Sequence, residues 1–585
     1  MVALTWLGGL VAHRRGRVVS TAIGVAVGVA LLASIGTFLS STTSKMTQRA
    51  SARVPVDWQV EVQKGANAAA VAAATAKQPG VTLARSVGFA DTPALQANVG
   101  GSVQRTGAGK VLGLPPGYAH DFPGEIRSLA GSTDGVLLAQ QTAANLHARP
   151  GDTVSIARPG GLPPANVKIA GVVDLPAADS LFQQVGAPAG AQAKAPPDNV
   201  ILIPQATFQQ IEGPVAKTRP DLVKTQVHAL LSHKLPGSPN AAFSQVAGNA
   251  RNLETHLAGA GLVGDNLGSA LDKARGDALY AQLLFLFLGV PGAILAALVT
   301  ASIASAGADR RRRDAALLRT RGATTGRLVR VALAESALAG GVGTAVGLGA
   351  ALVIGKIAFG TTSFGASTLA AVLWAGGAAA VGIGIAAASI VLPEWRDARS
   401  LTVASQRRQI GGVVRSPWWQ RYGLDFAALA GSALVYWQAS KSGYHLVLAP
   451  EGVPQVSVNW YALLAPVLAW LGAGLLAYRI ADQVLVRGRT PLARLFRPLA
   501  GELSPTVTAT MVRQRRLLAR AVTLVALTAA FAASTAVFDS TYQQQAEVDA
   551  RLTNGADVTV TQSPGTVVGP GQGRRLATVG GVASV

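Results

Sequence analysis

The run from Ala278 to Ala308, which contains no charged residue, limits the fold of this chain more than any other sequence feature. A helix needs only ~20 apolar residues to cross a bilayer, so this run can span one. Four consecutive arginines, Arg310 to Arg313, follow it, and an arginine is costly to bury in hydrocarbon. Arginine-rich short loops stay on the cytoplasmic side of a membrane. The sequence therefore predicts a membrane span that ends in a cytoplasmic loop.

The composition of the whole chain agrees with a membrane protein. Of its 585 residues, 49% are hydrophobic and 14% are charged, whereas soluble domains carry roughly 25% charged residues. The net charge is +22, but the basic residues are concentrated in short loops between apolar runs, so we do not expect nucleic-acid binding. The absence of cysteine excludes disulfides, thiolate metal sites and cysteine nucleophiles. We expect no metal and no cofactor in this chain.

Seven apolar segments are predicted to span the membrane, because basic and neutral loops alternate between them. The loops after the second, fourth and sixth segments contain eight, six and nine arginines. The loops after the third and fifth contain one lysine each, Lys356 and Lys441. The first segment is longer than the apolar core of a signal peptide, which favours an uncleaved span and a cytoplasmic N-terminus over a cleaved signal. The predicted organisation is 1–17 cytoplasmic, 18–44 first span, 45–277 outer domain, 278–308 second span, 309–330 cytoplasmic coupling loop, 331–357 third span, 367–393 fourth span, 394–422 cytoplasmic loop, 423–440 fifth span, 453–478 sixth span, 479–520 cytoplasmic loop, 521–538 seventh span and 539–585 start of a second outer domain.

Residues 45–277 are predicted to form an α+β domain outside the membrane. Alternating apolar residues indicate a strand at Trp58–Val62, and an alanine-rich stretch indicates a helix at Asn67–Lys77. The segment 135–146 has the pattern of a strand followed by a helix, and 176–198, rich in Pro, Ala and Gly, is predicted to be a mobile loop. Further strands are predicted at Thr153–Ile156, Val167–Val173 and Asn199–Ile203.

The chain also contains an internal repeat with an offset of about 500 residues. Val11-Ala-His-Arg-Arg15 precedes the first span and Val512-Arg-Gln-Arg-Arg516 precedes the seventh. We expect both helices to end in Ser/Thr-rich turns, at 40–43 and from Ser534 onward. The strand-like Asp57-Trp-Gln-Val and Asp557-Val-Thr-Val follow. Any basic-flanked helix before a strand gives a similar pattern, but the shared order favours true repetition.

The arginine-rich junction resembles a known family. Residues 310–325, Arg-Arg-Arg-Arg-Asp-Ala-Ala-Leu-Leu-Arg-Thr-Arg-Gly-Ala-Thr-Thr, resemble the FtsX-like permeases, the membrane subunits of MacB- and Lol-type ABC transporters. Residues 393–404 resemble the family's exit motif, and 146–154 with 169–173 resemble a stretch of its outer domain. The resemblance covers residues 1–404. Segments five to seven resemble the linker and second copy of two-copy members. We therefore expect a two-copy permease truncated in its second half, or one whose second half is a separate chain.

The resemblance implies that the permease does no chemistry and that a separate cytoplasmic ABC-type ATPase dimer binds ATP. A short amphipathic helix in the coupling loop could place its leucines in a groove of that partner, while its arginines pair with acidic residues, and Gly322 is suited to end the helix. Alternatively, this segment only anchors the chain at lipid phosphates and sets its topology. The expected contact residues are Asp314, Leu317, Leu318, Arg319, Arg321, Gly322, Ala323, Thr324 and Arg327.

Two features of the third segment are less specific. Glu335 lies near the predicted membrane entry, where an ionised group is costly unless it is paired or hydrated. It could serve coupling by pairing with Arg330 or another loop arginine, or it could snorkel into water. Gly343 and Gly347 have the spacing that lets helices pack closely in lipid.

The sequence thus predicts a multi-pass permease subunit of the plasma membrane. It would couple ATP hydrolysis by the partner to movement of the outer domain, for export or extraction of a lipid, lipoprotein, peptide or drug, or for control of an envelope enzyme. Membrane lipids and a second permease copy or homodimer are expected partners, and enzyme activity is not expected. The alternative is a membrane-anchored sensor or adhesion protein that needs no ATPase. An ion-coupled carrier would need buried carboxylates at mid-membrane, and the sequence shows none there.

Overall fold

The structure is a computed structural model that describes residues 8–9, 12, 15–183, 185–186, 195–279, 291–292, 294–295, 298–299, 308–400, 417–441, 446–448, 454–456, 464–554 and 571–582. Contacts divide the chain into two units, Met1–Ser44 with Ala278–Ala550, and Lys45–Asp277 with Arg551–Val585. The first unit is helical apart from two short antiparallel strands, Leu446–Leu448 and Pro454–Val456. The second unit, called the outer domain below, is α/β. The helices are α1 Arg15–Ala52, α2 Ala68–Lys77, α3 Tyr118–Asp121, α4 Gln140–Leu146, α5 Ala178–Leu181, α6 Gln205–Thr218, α7 Pro239–Leu257, α8 266–279, α9 Ala308–Thr320, α10 Thr325–Ile354, α11 Thr368–Ser400, α12 Trp418–Arg421, α13 Leu424–Lys441, α14 Leu464–Arg487, α15 Arg489–Ala500, α16 Ser504–Arg513, α17 Arg515–Asn554 and α18 Gln572–Ala577.

Five helices in the described part of the chain are long and apolar enough to cross a membrane. They overlap the predicted first, third, fourth, sixth and seventh segments, and run over Val18–Ala52, Thr325–Phe359, Thr368–Arg396, Leu464–Arg487 and Arg515–Val537. The predicted start of the sixth span at Val453 is wrong, because Pro454–Val456 is a strand paired with Leu446–Leu448 and the helix begins at Leu464. Most of the predicted second span, 278–308, lies outside the described residues. The predicted fifth span is a helix, α13, but it is not among the five apolar ones.

The expectation that the first and seventh helices end in Ser/Thr-rich turns is wrong. Helix α1 continues to Ala52 and α17 to Asn554. The hydroxyls bond back to the carbonyl four residues earlier, from Thr43 to Leu39 at 2.9 Å and from Thr535 to Phe531 at 2.9 Å. Such back-bonding keeps Ser and Thr inside a helix instead of ending it. The two helices begin at Arg15 and Arg515. The strand-like 557–561 lies outside the described residues, and the internal repeat stays a prediction.

The outer domain contains one mixed sheet of twelve described strands. Its order is β12-β1-β11-β2-β5-β10-β7-β9-β8-β3-β4, with β6 beside β9. The predicted strands and helices are confirmed, with Asn67 capping α2 through two backbone amides. Part of the predicted loop 176–198 is helix α5, and 187–194 lies outside the described residues. The strands are β1 Trp58–Val62, β2 Val81–Thr92, β3 Leu95–Val99, β4 Ser102–Arg105, β5 Gly109–Leu114, β6 Arg127–Gly131, β7 Val136–Ala139, β8 Thr153–Ile156, β9 Ala165–Asp174, β10 Val200–Pro204, β11 Val223–Leu231 and β12 Gly261–Asp265.

The first and last strands of the outer domain are neighbours. Strand β1 lies between β11 and β12 and is antiparallel to both. Trp58 is opposite Asp265, and its indole nitrogen donates a hydrogen bond of 3.1 Å to Asp265 Oδ1. The neighbouring Asp57 carbonyl accepts from the amides of Asn266 and Leu267 at 3.0 and 3.2 Å. The chain therefore enters and leaves this domain at one edge of the sheet.

Candidate functional site

The segment 308–328 forms a helix, a tight turn and the start of a second helix. Gly322 follows α9 with φ of +85°, a conformation that favours glycine. Its amide donates to the Arg319 carbonyl at 2.8 Å, and the Ala323 amide donates to the Leu318 carbonyl at 3.0 Å. These two bonds define a Schellman motif, which closes a helix by satisfying its last carbonyls. The extended Thr324 then precedes α10, so the sequence assigned Gly322 correctly as the helix end.

The structure places all nine predicted contact residues on this helix–turn–helix. Leu317 differs from a typical leucine of a folded protein, because it is apolar and yet 61% exposed. Arg321, Gly322, Thr324 and Arg327 are exposed too, whereas Asp314, Leu318, Arg319 and Ala323 are partly buried. An exposed leucine followed by the exposed arginines Arg321 and Arg327 is suited to a surface that receives a partner. Binding of an ATPase there stays a prediction.

Glu335 lies ten residues into α10 and is 3% exposed. Its buried position does not fit the alternative in which this carboxylate snorkels into water.

Gly340, which also lies on α10, packs against Ile383 and Ala386 of α11. A Cβ built on Gly340 would lie 3.4 Å from each of these two residues. Helices α10 and α11 are therefore closely packed at Gly340.

Gly343 and Gly347 form a close contact between α10 and α1. A Cβ built on Gly343 would lie 2.6 Å from the carbonyl oxygen of Ala22, and one on Gly347 would lie 2.6 Å from that of Ala26. Both distances are too short for any side chain, so the two backbones touch directly. Gly382 of α11 lies against the side chain of Val29 of α1. The glycine spacing therefore marks the centre of a three-helix contact among α1, α10 and α11.

An apolar cavity of about 540 Å³ lies beside α1 in the helical unit. The edge-to-face rings of Phe38 and Phe359 are 5.1 Å apart at one part of its wall. A single hydroxyl among its lining groups, Ser34 Oγ, is buried without a hydrogen-bond partner among the described residues. Its larger lining side chains are Val27, Leu31, Phe38, Ile354, Phe359 and Phe531.

The sequence interpretation missed a charged pair between α13 and α14. Arg479 contacts the fully buried carboxylate of Asp425 and also donates to the Gln420 carbonyl at 2.6 Å. Arg479 was assigned only a topological role among the loop arginines. An aspartate and an arginine at the same end of two consecutive apolar helices were the signal for pairing.

The outer domain contains buried titratable groups that sequence patterns do not reveal. Both oxygens of the fully buried Glu125 have no hydrogen-bond partner among the described residues, and burial raises its pKa to about 8. Tyr118 Oη lies 2.7 Å from Nδ1 of His228, whose pKa burial lowers to about 3. Desolvation also raises the pKa of Asp265 to about 6. Burial removes water from these groups and so favours their neutral forms over their charged forms.

Asp265 lines a polar cavity of about 380 Å³ at the edge of the outer-domain sheet, together with Gln59, Arg251 and Glu254. On the other side of β1, His233 Nε2 lies 3.0 Å from both carboxylate oxygens of the buried Asp57. The hydrogen bond to Asp57 raises the pKa of His233. No group of His, Asp and Glu in the described residues has the arrangement of a metal site.

Comparison with known families gives two matches, and they cover the outer domain and the helices described above. Residues 19–232, which include most of α1 and of the outer domain, match the MacB-like periplasmic core domain. Residues 286–396, which include α9, α10 and most of α11, match the FtsX-like permease C-terminal domain. Among curated proteins, none matches this chain. Because the two domains occur in this order and together cover more than half of the sequence, the chain belongs to the MacB/FtsX-type permeases and is a multi-pass membrane subunit of an ABC transporter.

Proposed function

We propose that a cytoplasmic ATPase dimer binds the helix–turn–helix at 308–328 and that ATP hydrolysis there moves the permease. The exposed side chain of Leu317 is the observation that carries this proposal. In water it loses the stabilisation that burial of a leucine provides, about 1.5–3 kcal/mol, and a partner groove would restore it. The surrounding arginines Arg321 and Arg327 are exposed and suited to acidic residues at the rim of such a groove. The N-terminus and this segment are proposed to be cytoplasmic, with seven spans in total.

The close packing of α10 on α1 supports a route for the motion. The Schellman turn joins α9 to α10, and Gly343 and Gly347 bring α10 into backbone contact with α1. Helix α1 is uninterrupted from Arg15 to Ala52. Displacement of α9 would then shift α10 and α1 together, and α1 would carry the motion to the outer domain.

The cavity beside α1 supports an amphiphilic cargo. Its lining is almost wholly apolar, and its volume of about 540 Å³ falls within the usual range of small-molecule sites, ~300–1,000 Å³. A lipid, a lipoprotein, an apolar peptide or a drug has apolar groups that such a cavity would accept. The proposed function is therefore export or extraction of an amphiphile by ATP-driven movement of the outer domain.

Co-purification of the ATPase with the permease tests the contact. Leu317→Asp alone, and combined with Arg319→Glu, should abolish association with the ATPase while the variants still fold in detergent. The matched control is Val103→Asp with Arg105→Glu, which changes a 66%-exposed valine and an exposed arginine with the same spacing in the outer domain. Unchanged association of the Leu317 variants would overturn the proposal.

A ligand-binding sensor is the second candidate, and the polar cavity at Asp265 and Arg251 favours it. Such a protein would respond to a ligand without an ATPase. Reconstitution of the purified chain in vesicles, with and without the ATPase, separates the two functions. Cargo movement that requires ATP and the partner supports the transporter, whereas a ligand-induced change in the chain alone supports the sensor.

A further inference from the structure

Helix α15, Arg489–Ala500, has one apolar and one basic face. Successive residues of a helix are rotated by ~100°, so its large apolar side chains fall on one side, and Thr490, Arg494 and Arg497 fall on the other. The helix contains three arginines and no acidic residue. The large side chains of the apolar face are Leu492, Leu495, Phe496 and Leu499.

Two leucines of the apolar face are left uncovered by the rest of the described helical unit, whereas Leu492 and Phe496 are partly buried. Leu495 is 68% exposed and Leu499 is 86% exposed. These two leucines are four residues apart and therefore lie next to each other on one side of the helix. Leu503, in the short turn after the helix end at Gly501, is 67% exposed. Exposed leucines grouped in this way need an apolar medium or a partner, because water leaves their side chains hydrated.

The position of α15 in the chain indicates which medium covers it. Only Gly488 separates α15 from Arg487, the last residue of the apolar helix α14. The next apolar helix, α17, begins at Arg515. The segment 488–514 therefore joins two candidate spans and begins where the first of them ends. Helix α15 is held at the surface of the bilayer by covalent connection and needs no affinity of its own to reach it.

We propose that α15 lies in the membrane interface and binds an anionic phospholipid surface. Leu495 and Leu499 enter the boundary of the acyl chains, and Arg494 and Arg497 attract anionic headgroups. Basic amphipathic helices with Leu and Phe on the opposite face bind membranes in this way, and clustered arginines near the membrane increase attraction to anionic lipids. This proposal does not depend on the ATPase contact at 308–328.

The absence of cysteine from the chain allows a direct test in the full-length protein. Leu499→Cys and Thr490→Cys place a single thiol on opposite faces of α15, about 180° apart at ~100° per residue. Each is labelled with an environment-sensitive fluorophore and reconstituted in vesicles of phosphatidylcholine, alone or mixed with an equal part of phosphatidylglycerol. Quenching is measured with aqueous iodide and with lipids that carry a spin label on the acyl chain.

The expected result for the label at position 499 is blue-shifted emission, quenching by the spin-labelled lipid and a several-fold smaller iodide quenching constant than at position 490. The protection should be greater in phosphatidylglycerol vesicles, and Arg494→Glu with Arg497→Glu should remove that difference. Equal iodide quenching at both positions would overturn the proposal and favour a protein partner absent from the vesicles. Protection from iodide without quenching by lipid would overturn it also, because the label would then be buried against protein.

Discussion

Arg479 of α14 and Asp425 of α13 form a bidentate ion pair. Arg479 Nε lies 2.5 Å from Asp425 Oδ2, and Arg479 Nη2 lies 2.8 Å from Asp425 Oδ1. The carboxylate is fully buried and the arginine side chain is 19% exposed. The guanidinium also lies 5.2 Å from the ring centre of Phe426. Removal of one partner from a buried pair leaves an uncompensated charge, which costs far more than the net stability of the pair.

Arg479→Ala should lower the free energy of unfolding by about 3–5 kcal/mol, because Asp425 keeps its buried charge. The double variant Asp425→Ala with Arg479→Ala should recover part of this loss, since it buries no charge. Thermal unfolding of the purified full-length chain in detergent measures both effects. Arg487→Ala, an exposed position at the end of the same helix, is the control and should unfold like the natural protein. Equal losses for Arg479→Ala and Arg487→Ala would contradict the expectation.

Gly322→Ala should loosen the turn between α9 and α10. An L-residue with a side chain pays about 1–2 kcal/mol in the left-handed conformation, and Gly322 has φ of +85°. Hydrogen exchange should then become faster at the amides of Gly322 and Ala323, which bond to α9 carbonyls. Gly322→Asn should show a smaller effect, because asparagine tolerates this conformation better. Gly326→Ala, whose new methyl group meets open space in α10, is the control and should leave hydrogen exchange unchanged. Faster exchange in Gly326→Ala but not in Gly322→Ala would contradict the role of Gly322 in the turn.

Gly347→Ala should separate α10 from α1. The new Cβ would lie 2.6 Å from the Ala26 carbonyl oxygen, and overpacking of this kind costs about 1–3 kcal/mol. Gly349→Ala adds the same methyl group to the same helix where nothing lies within 4 Å, and it should be neutral or stabilising by about 0.5–1 kcal/mol. The melting temperatures of the two variants in detergent give the comparison. A Gly347→Ala protein as stable as Gly349→Ala would show that the helices do not touch at Ala26.

Glu125→Gln should flatten the pH dependence of stability in the outer domain. Burial raises the pKa of Glu125 from its usual value of 4.5 to about 8. Between these values the unfolded chain is ionised at this position and the folded protein is protonated, so each rise in pH favours unfolding. The stabilising contribution is present below about pH 4.5 and is lost as pH rises through about 8, by up to about 1.4 kcal/mol per pH unit.

The measurement is the stability difference between Glu125→Gln and the natural protein, followed from about pH 5 to pH 8. This difference should increase steadily in favour of the variant as pH rises. Asp134→Asn changes an exposed carboxylate of the same domain and should give a flat difference. A flat profile for Glu125→Gln would mean that the carboxyl is hydrated in the folded protein.

Local sequence patterns predicted the elements that depend on local physics. Apolar runs predicted five helices that are long and apolar enough to span a membrane, alternation predicted β1, and Gly322 predicted the end of α9, because each of these follows from neighbouring residues. The helix ends at Ala52 and Asn554 were missed, since hydroxyl back-bonding depends on rotamers that a pattern does not show. Arg479 and Asp425 are 54 residues apart, and only the packing of two helices reveals that they pair. The burial of Glu125 could not be predicted from the sequence either, because it depends on the assembled core.

Asp57 and Trp58, at the first strand of the outer domain, are hydrogen-bonded to residues in and just after its last strand, β12. This pairing has an evolutionary consequence. Adjacent strands are about 5 Å apart, so the entry and exit of this domain of more than two hundred residues are as close as the ends of a hairpin. An insertion whose ends meet leaves the host chain undisturbed. The outer domain can therefore be replaced, enlarged or specialised as a cassette, while α1 and the permease helices that follow retain their own packing.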